Sequence, residues 1–213
     1  MFGISWLQPE ALINSMGGFA ILGVCLIVFV ETGLLIGFFL PGDSLLFVTG
    51  LMTAGGVIEW PIFAVCAAIS VAAWLGDQTG YWIGRKVGPA VFNRPNSRLF
   101  KHENVERAHA FFERYGARAI ILAHFVPVMR TFVPVAAGVG EMDYRRFLKY
   151  NIWGVIGWGT GVTLMGYYLG KIAFVAEHVE YFTIGFVILS TIPIAIEVIK
   201  TRRQHIAEQL SEN

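Results

Sequence analysis

Basic residues are absent from the first 84 positions of this 213-residue chain. Acidic residues do occur there, and two of them, Glu31 and Asp43, lie within long apolar stretches. Charge is also scarce overall, since 15% of the residues are Asp, Glu, Lys or Arg, where a soluble domain has about 25%. The alternative is a soluble helical protein with a very large core, but the composition, with 55% hydrophobic residues, favours an integral membrane protein.

Cysteines and soluble-enzyme motifs are equally sparse. Cys25 and Cys66 both lie in apolar runs, and their spacing matches no Cys-x-x-Cys or Cys/His metal pattern. The sequence contains no nucleophile elbow, Walker-type loop or His-Glu-x-x-His motif, and no signal-peptide pattern opens it. We therefore expect no metal, no cofactor and no enzymatic activity. A membrane phosphatase that uses Arg130 and His124 is the enzymatic alternative.

Two apolar segments are interrupted by helix-breaking and charged residues. The first broken segment covers residues 31–56, and the second covers residues 117–142. Two apolar legs joined by such a break can enter and leave a membrane on one side, provided that protein surrounds the irregular backbone. The predicted hairpin breaks are Pro41, Gly42, Pro127 and Pro134.

An offset of 86 residues relates the two halves of the chain. The matched blocks are Phe39-Leu40-Pro41 with Phe125-Val126-Pro127, and Gly80-Tyr81-Trp82-Ile83-Gly84-Arg85 with Gly166-Tyr167-Tyr168-Leu169-Gly170-Lys171. Chance similarity between glycine- and aromatic-rich helix ends is the alternative. If each hairpin returns to its own side, only the apolar helix at 61–83 crosses between them, so the repeats are inverted. Inverted repeats with interrupted helices are a transporter design.

The predicted fold class is an all-α integral membrane protein. It consists of an inverted repeat of two re-entrant helical hairpins, each followed by a transmembrane helix, plus an amphipathic surface helix at 91–116 and a C-terminal transmembrane helix at 181–199. Residues 1–16 form an N-terminal interfacial segment, 17–199 a single transmembrane domain with halves at about 17–90 and 103–175, and 200–213 a polar tail. An ordinary solvated connecting helix is the alternative for 91–116.

Charge distribution sets the predicted orientation. Eight Lys or Arg residues lie between Arg85 and Arg118, which places this segment and the C-terminus in the cytoplasm. Glutamates interleave with these basic residues and membrane segments flank them, so no nucleic-acid partner is predicted.

The candidate site combines the charged residues of both broken segments: Glu31 and Asp43 with His124 and Arg130. A charge at membrane depth costs at least ~2.5–3.5 kcal/mol, so such residues usually face a protein-lined pathway. Arg130 can bind a phosphate bidentately, and the acids and His124 can exchange protons. The structural alternatives are a Glu31–Arg130 ion pair, Asp43 capping a helix that begins at Ser44, and a core role for His124.

Two further polar residues lie outside this set. Asp77 precedes Arg85 by two helical turns, which favours a structural role for it. Asn151 is expected to hydrogen-bond across helices.

The sequence resembles the DedA family of bacterial inner-membrane proteins, which is related to the eukaryotic VTT or SNARE-associated-domain proteins. The resemblance covers residues 17–175 approximately. It rests on Glu31-Thr32-Gly33, Phe39-Leu40-Pro41-Gly42-Asp43-Ser44-Leu45-Leu46, Gly76-Asp77-x-x-Gly80-Tyr81, Phe125-x-Pro127-x-x-Arg130-Thr131-Phe132-x-Pro134 and Ala137-Gly138.

This resemblance implies lipid translocation in a multi-pass protein of the bacterial inner membrane, dependent on the proton motive force. The implied substrate is undecaprenyl phosphate or a phospholipid such as phosphatidylethanolamine, and the implied site residues are Glu31, Asp43 and Arg130. The family often has a second arginine at the position of His124, where this chain departs from it. A non-transporting membrane organiser for envelope homeostasis and cell division is the alternative function, and the sequence is compatible with a homo-oligomer.

Overall fold

The structure is a computed structural model that describes residues 19–34, 40, 42–92, 112, 115–177 and 185. Every regular element in these ranges is a helix, which agrees with the predicted all-α membrane class. The N-terminal interfacial segment and the polar tail lie outside the described residues. Most of the predicted surface helix and of the C-terminal transmembrane helix lies outside them as well.

The described helices follow one another with short connections. In chain order they are α1 (Ala20–Gly33), α2 (Gly42–Ala54), α3 (Ile62–Phe92), α4 (Arg118–Ala123), α5 (Pro127–Val139), α6 (Tyr144–Val155), a π-helical segment (Ile156–Thr160), α7 (Gly161–Gly170) and α8 (Ala173–Glu177). Among them, Ile62–Lys86 within α3 is long and apolar enough to cross a membrane. Shorter apolar helices are Ala20–Gly33, Gly42–Ala54 and Met129–Val139.

The two halves of the sequence exchange their packing partners. Helix α2 of the first broken segment packs along α7, which follows the second broken segment. Helix α5 of the second broken segment packs along α3, which follows the first. Helix α1 also packs on α3, and α4 packs on α6. Each broken segment is therefore supported by the helix that follows the other one.

Glycines let these helix pairs approach through their backbones. A Cβ atom on Gly166 of α7 would lie 2.9 Å from the carbonyl carbon of Phe47 in α2. On α3, a Cβ on Gly84 would lie 3.0 Å from the carbonyl carbon of Val135 in α5. Such contacts are closer than real Cβ atoms accept, and small residues are the usual means of close helix packing in membranes.

Helix α7 offers a matched pair of glycines that tests this packing. A Cβ on Gly166 meets α2, whereas a Cβ on Gly161 meets no atom of the described residues within 4 Å. We expect Gly166→Ala to lower the free energy of unfolding by about 1–3 kcal/mol, since overpacking pushes α2 and α7 apart. We expect Gly161→Ala to leave it unchanged or to raise it by up to about 1 kcal/mol through helix propensity. Thermal unfolding of both variants in detergent micelles measures the difference, and equal stabilities would contradict the close contact.

Large apolar side chains lie on the outside of the helices, while several charged and polar side chains are buried between them. Leu22 and Leu26 of α1, Phe63 of α3 and Trp153 of α6 are all more than half exposed. The buried polar and charged side chains are Glu31, Thr32, Ser44, Thr49, Asp77, Gln78, His124, Arg130, Thr131, Asn151 and Thr163. This arrangement is typical of a protein whose outer surface contacts lipid.

The predicted breaks have different positions in the structure. Gly42 is the first residue of α2, Pro127 is the first residue of α5, and Pro41 lies outside the described residues. Pro134 lies inside α5, so its prediction as a break is wrong. Its ring packs against Gly80 of α3, whose missing side chain admits it (Cβ to Cβ position, 3.4 Å). Packing against a neighbouring helix compensates for the backbone hydrogen bond that a proline removes.

Candidate functional site

A close crossing of α1 and α3 turns Glu31 toward the interior. A Cβ on Gly33 would lie 2.8 Å from the carbonyl oxygen of Gly76, so the two backbones are in contact there. Thr32 reinforces the crossing, because its hydroxyl lies 3.0 Å from the Val28 carbonyl oxygen and 3.2 Å from that of Ala73. Glu31 precedes this contact and is 1% exposed.

Arg130 binds both acids of the first broken segment. Its Nη1 donates to Oδ1 of Asp43 at 2.7 Å, and its Nη2 donates to Oε1 of Glu31. The three residues come from α1, α2 and α5, and Arg130 is 2% exposed. One buried guanidinium therefore joins both broken segments, and the structure brings together three of the four residues that the sequence proposed for the site.

Trp158 completes this cluster and was not predicted from the sequence. Its Nε1 donates to Oδ1 of Asp43 at 2.6 Å, and its ring lies under the Arg130 guanidinium, with Cζ 4.1 Å from the ring centroid. A cation over an indole face is stabilised by the ring quadrupole. The sequence carried one signal: Trp158 lies in the middle of an apolar, glycine-rich run, whereas membrane tryptophans concentrate at the interfaces.

The π-helical segment sets the direction of Trp158. It interrupts the otherwise α-helical run from Tyr144 to Gly170, and π-helical turns of this kind are frequent at functional sites. The Thr160 hydroxyl lies 3.3 Å from that of Ser70, which holds the segment against α3. The indole is 1% exposed and directed at Asp43.

The first residues of α2 lie in close contact with the cluster. A Cβ on Gly42 would lie 2.7 Å from Oε1 of Glu31, so a larger residue at this position would displace the carboxylate. Asp43 lies in the first turn of α2, where the positive end of the helix dipole favours an anion. Its side chain is 20% exposed, while those of Glu31 and Arg130 are almost fully buried. Asp43 is therefore the member of the cluster that an entering group would meet.

Two acids share one guanidinium, so the cluster of Glu31, Asp43 and Arg130 has one more acidic than basic side chain. Oε2 of Glu31 and Nε of Arg130 are also buried and form no hydrogen bond with the part of the chain that the structure describes. Unsatisfied buried polar atoms are costly, so each calls for a structural or functional explanation. Chemically, such an arrangement can bind an anion at Arg130 and a proton at either acid.

His124 does not join this cluster, contrary to the sequence prediction. Its Nε2 lies 2.9 Å from Oδ2 of Asp77, and its Nδ1 lies 2.8 Å from the carbonyl oxygen of Ile120. His124 directly follows α4, before the chain turns into α5. It therefore faces α3 rather than the N-terminal part of α5, which carries Arg130.

Asp77 is likewise paired differently from its prediction. Arg85, the partner suggested by spacing, instead donates to the Tyr81 hydroxyl at 2.9 Å and to the Met142 carbonyl. Asn151 does hydrogen-bond across helices, as expected, through Nδ2 to Oδ2 of Asp77 at 2.6 Å.

Comparison with known proteins gives the family. The VTT domain matches residues 40–168. An uncharacterized membrane protein of Mycobacterium tuberculosis is 46% identical over 191 residues, covering 89% of this chain and 84% of that protein.

Two proteins of Escherichia coli strain K12 are also similar. Protein DedA is 40% identical over 178 residues, covering 84% of this chain and 81% of that protein. Inner membrane protein YqjA is 34% identical over 170 residues, covering 78% of this chain and 76% of that protein. No solved structure matches the chain. With its VTT domain, its relatives and its membrane-type exterior, the chain belongs to the DedA family of membrane proteins.

Proposed function

We propose that this protein is a flippase-like lipid transporter of the bacterial inner membrane, coupled to protons and without enzymatic activity. The substrate class is a phosphate-bearing lipid, either undecaprenyl phosphate or a phospholipid such as phosphatidylethanolamine. The observation that carries the proposal is the buried guanidinium of Arg130, shared by the carboxylates of Glu31 and Asp43. Arginine is the side chain best suited to bidentate phosphate binding.

Competition for this guanidinium couples phosphate binding to proton binding. Both terminal nitrogens of Arg130 are bonded to carboxylates and the side chain is 2% exposed, so in this scheme a phosphate reaches the guanidinium by displacing an acid. The displaced carboxylate loses its cation in a poorly solvated site, where the charged form is disfavoured, and it takes up a proton. The phosphate and the proton therefore occupy the protein together, which corresponds to cotransport.

Asp43 is the acid that the phosphate displaces in this scheme. It is the more exposed of the two, and its Oδ1 accepts from both Arg130 Nη1 and Trp158 Nε1. A phosphate oxygen that replaces Oδ1 receives both donors at once. Glu31 remains bonded to Arg130 and keeps the guanidinium in place.

The exchanged packing supports the two-hairpin topology that transport would use. Helices α2 and α5, which hold Asp43 and Arg130, each pack on the helix that follows the other broken segment. Two re-entrant hairpins entering from opposite faces would form these pairs and meet at the charged cluster. We extend the proposal to this inverted, multi-pass topology with a cytoplasmic C-terminus.

Reconstituted vesicles test the function. Purified protein is placed in vesicles that contain a fluorescent polyprenyl phosphate or a fluorescent phosphatidylethanolamine, with and without a pH gradient. We expect at least one lipid to cross about tenfold faster than in empty vesicles, faster still when the gradient drives protons in the same direction.

The same vesicles distinguish the rival functions. Release of inorganic phosphate from the lipid would indicate a phosphatase instead. If neither lipid crosses faster than in protein-free vesicles, transport is wrong and the organiser becomes the better hypothesis.

A further inference from the structure

A second buried polar cluster lies apart from Arg130, between α3, α4 and α6. Asp77 and Asn151 are 0% exposed, His124 is 1% exposed and Gln78 is 8% exposed. Gln78 Nε2 donates to Oδ1 of Asn151 at 3.0 Å, and Nδ2 of Asn151 donates to Oδ2 of Asp77 at 2.6 Å. A chain of hydrogen bonds therefore runs from Gln78 through Asn151 to the Asp77 carboxylate, which also contacts His124.

The imidazole of His124 is buried and contacts residues of α3, α4 and α6. Gly154 of α6 lies against the ring, and a Cβ there would be 2.8 Å from Cε1. Nδ1 lies 2.8 Å from the Ile120 carbonyl oxygen, and a carbonyl oxygen only accepts, so Nδ1 carries a hydrogen. Nε2 is the atom left to contact Asp77, at 2.9 Å from Oδ2.

This geometry requires one proton between the two residues. With a hydrogen fixed on Nδ1, a neutral imidazole presents only a lone pair at Nε2, and an ionised Asp77 also presents a lone pair. Two acceptors at 2.9 Å repel each other, so a proton lies on Nε2 or on Oδ2. The pair is either an imidazolium with a carboxylate or a neutral imidazole with a carboxylic acid, and both forms hold one proton in addition to the hydrogen on Nδ1.

We propose that Asp77 and His124 form a proton-binding site, separate from the Glu31–Asp43–Arg130 cluster, that holds one exchangeable proton and keeps α4 attached to α3. Loss of the proton leaves two facing acceptors and opens the contact. Oδ1 of Asp77 is buried and has no hydrogen-bond donor among the described residues, so it offers a second lone pair to an arriving proton. The site does not depend on lipid transport, because its proton is required by local geometry alone.

Other charged groups on the packed elements do not take over this proton. On α5, Arg130 is bonded to Glu31 and Asp43, and on α3 the Tyr81 hydroxyl and Arg85 are bonded to each other and to the Met142 carbonyl. On α4 and α6, Arg118 and Lys149 are exposed, and Asn151 is the polar neighbour of Asp77. Asp77 is therefore the titratable partner that the described residues provide for His124.

The Asp77–His124 pair lies next to the connection that leads to Arg130, so its proton affects that connection. His124 begins the elbow, residues 124–126, that connects α4 to α5. Arg130 lies one turn into α5, and its backbone N–H donates to the Val126 carbonyl of the elbow at 2.9 Å. Release of the proton frees the elbow from α3, and the segment that positions Arg130 gains freedom.

Nitrogen NMR of histidine-labelled protein in nanodiscs without added substrate tests the proposal. The His124 resonances are assigned by their loss in His124→Gln, and Asp77 is followed by infrared difference spectra against Asp77→Asn. At neutral pH we expect one proton on Nε2 or Oδ2, in addition to the hydrogen on Nδ1. As the pH is raised we expect that proton to leave in a single step, with Nδ1 remaining protonated throughout. The Asp77→Asn variant is expected to titrate one proton fewer per molecule, with no His124 transition.

The matched control is Asp143→Asn, which removes an exposed carboxylate that caps α6 through the Arg146 backbone. It is expected to leave the His124 transition unchanged. A His124 with Nε2 unprotonated beside an ionised Asp77 would overturn the proposal. So would a pair that keeps its proton at every pH at which the protein stays folded, since that is a static ion pair. Both outcomes are measured on the unaltered protein, and the variants serve to assign its signals.

Discussion

Replacing Arg130 with glutamine is expected to reduce lipid transport to the rate of protein-free vesicles and to lower the free energy of unfolding by about 3–5 kcal/mol. The variant removes the one cation from a buried site and leaves Glu31 and Asp43 facing each other at the contact between α1, α2 and α5. Breaking a buried ion pair from one side is costly for this reason. Lipid transport in vesicles and thermal unfolding in detergent micelles measure the two effects separately.

A charge-balanced variant separates loss of function from loss of structure. In Glu31→Gln/Asp43→Asn/Arg130→Gln, neutral amides replace all three charges, and the unpaired carboxylates of the single variant are gone. We expect most of the stability to return, because replacing a whole buried ion cluster is often close to neutral. Transport is expected to stay absent. A stable triple variant with full transport would show that the charges only hold the helices together, and would favour the organiser.

Replacing Asp43 with asparagine is expected to tighten binding of a phosphate-bearing lipid by about tenfold, equivalent to about 1.4 kcal/mol. Asp43 competes with the phosphate for Arg130 Nη1 and Trp158 Nε1, and a neutral amide competes less well than a carboxylate. The same change removes the group that takes up the proton. Titration of the protein in nanodiscs with polyprenyl phosphate measures the affinity.

The pH dependence of lipid phosphate binding tests directly whether Asp43 takes up the proton. One proton taken up with each phosphate strengthens binding by up to about tenfold per unit as pH falls, since the bound form holds one more proton. The Asp43→Asn variant is expected to show no such dependence. Glu59→Gln is the matched control, because Glu59 is an exposed acid between α2 and α3, and it should behave as the unaltered protein does. A pH dependence that survives Asp43→Asn would exclude Asp43 as the displaced acid.

The sequence predicted the central contact because charge at membrane depth has few options. Glu31 and Asp43 have no basic residue near them in the sequence, and Arg130 lies in the corresponding broken segment. Unpaired charges inside a membrane protein are costly enough that these three were expected to meet. The all-α class followed from the apolar composition in the same way.

Side-chain directions were beyond what spacing predicts. His124 lies six residues before Arg130, yet the elbow between α4 and α5 turns the two side chains toward different helices. Trp158 reaches Asp43 because a π-helical segment changes the register of its helix, and Pro134 continues a helix because Gly80 makes room for its ring. Each depends on a tertiary contact that local sequence patterns do not specify.

The sharing of one guanidinium by two acids has an electrical consequence. The empty cluster contains one positive and two negative groups. In the proposed loaded form, a phosphate with a single negative charge replaces one carboxylate at Arg130 while that acid becomes neutral. The net charge of the cluster is therefore the same in the empty and the loaded form. The same charge moves through the membrane field when either form reorients, and each elementary charge is worth about 2.3 kcal/mol per 100 mV. For a lipid whose only charge is that phosphate, the membrane voltage would then cancel over a complete cycle, and the pH difference and the lipid's own gradient would set the direction of transport.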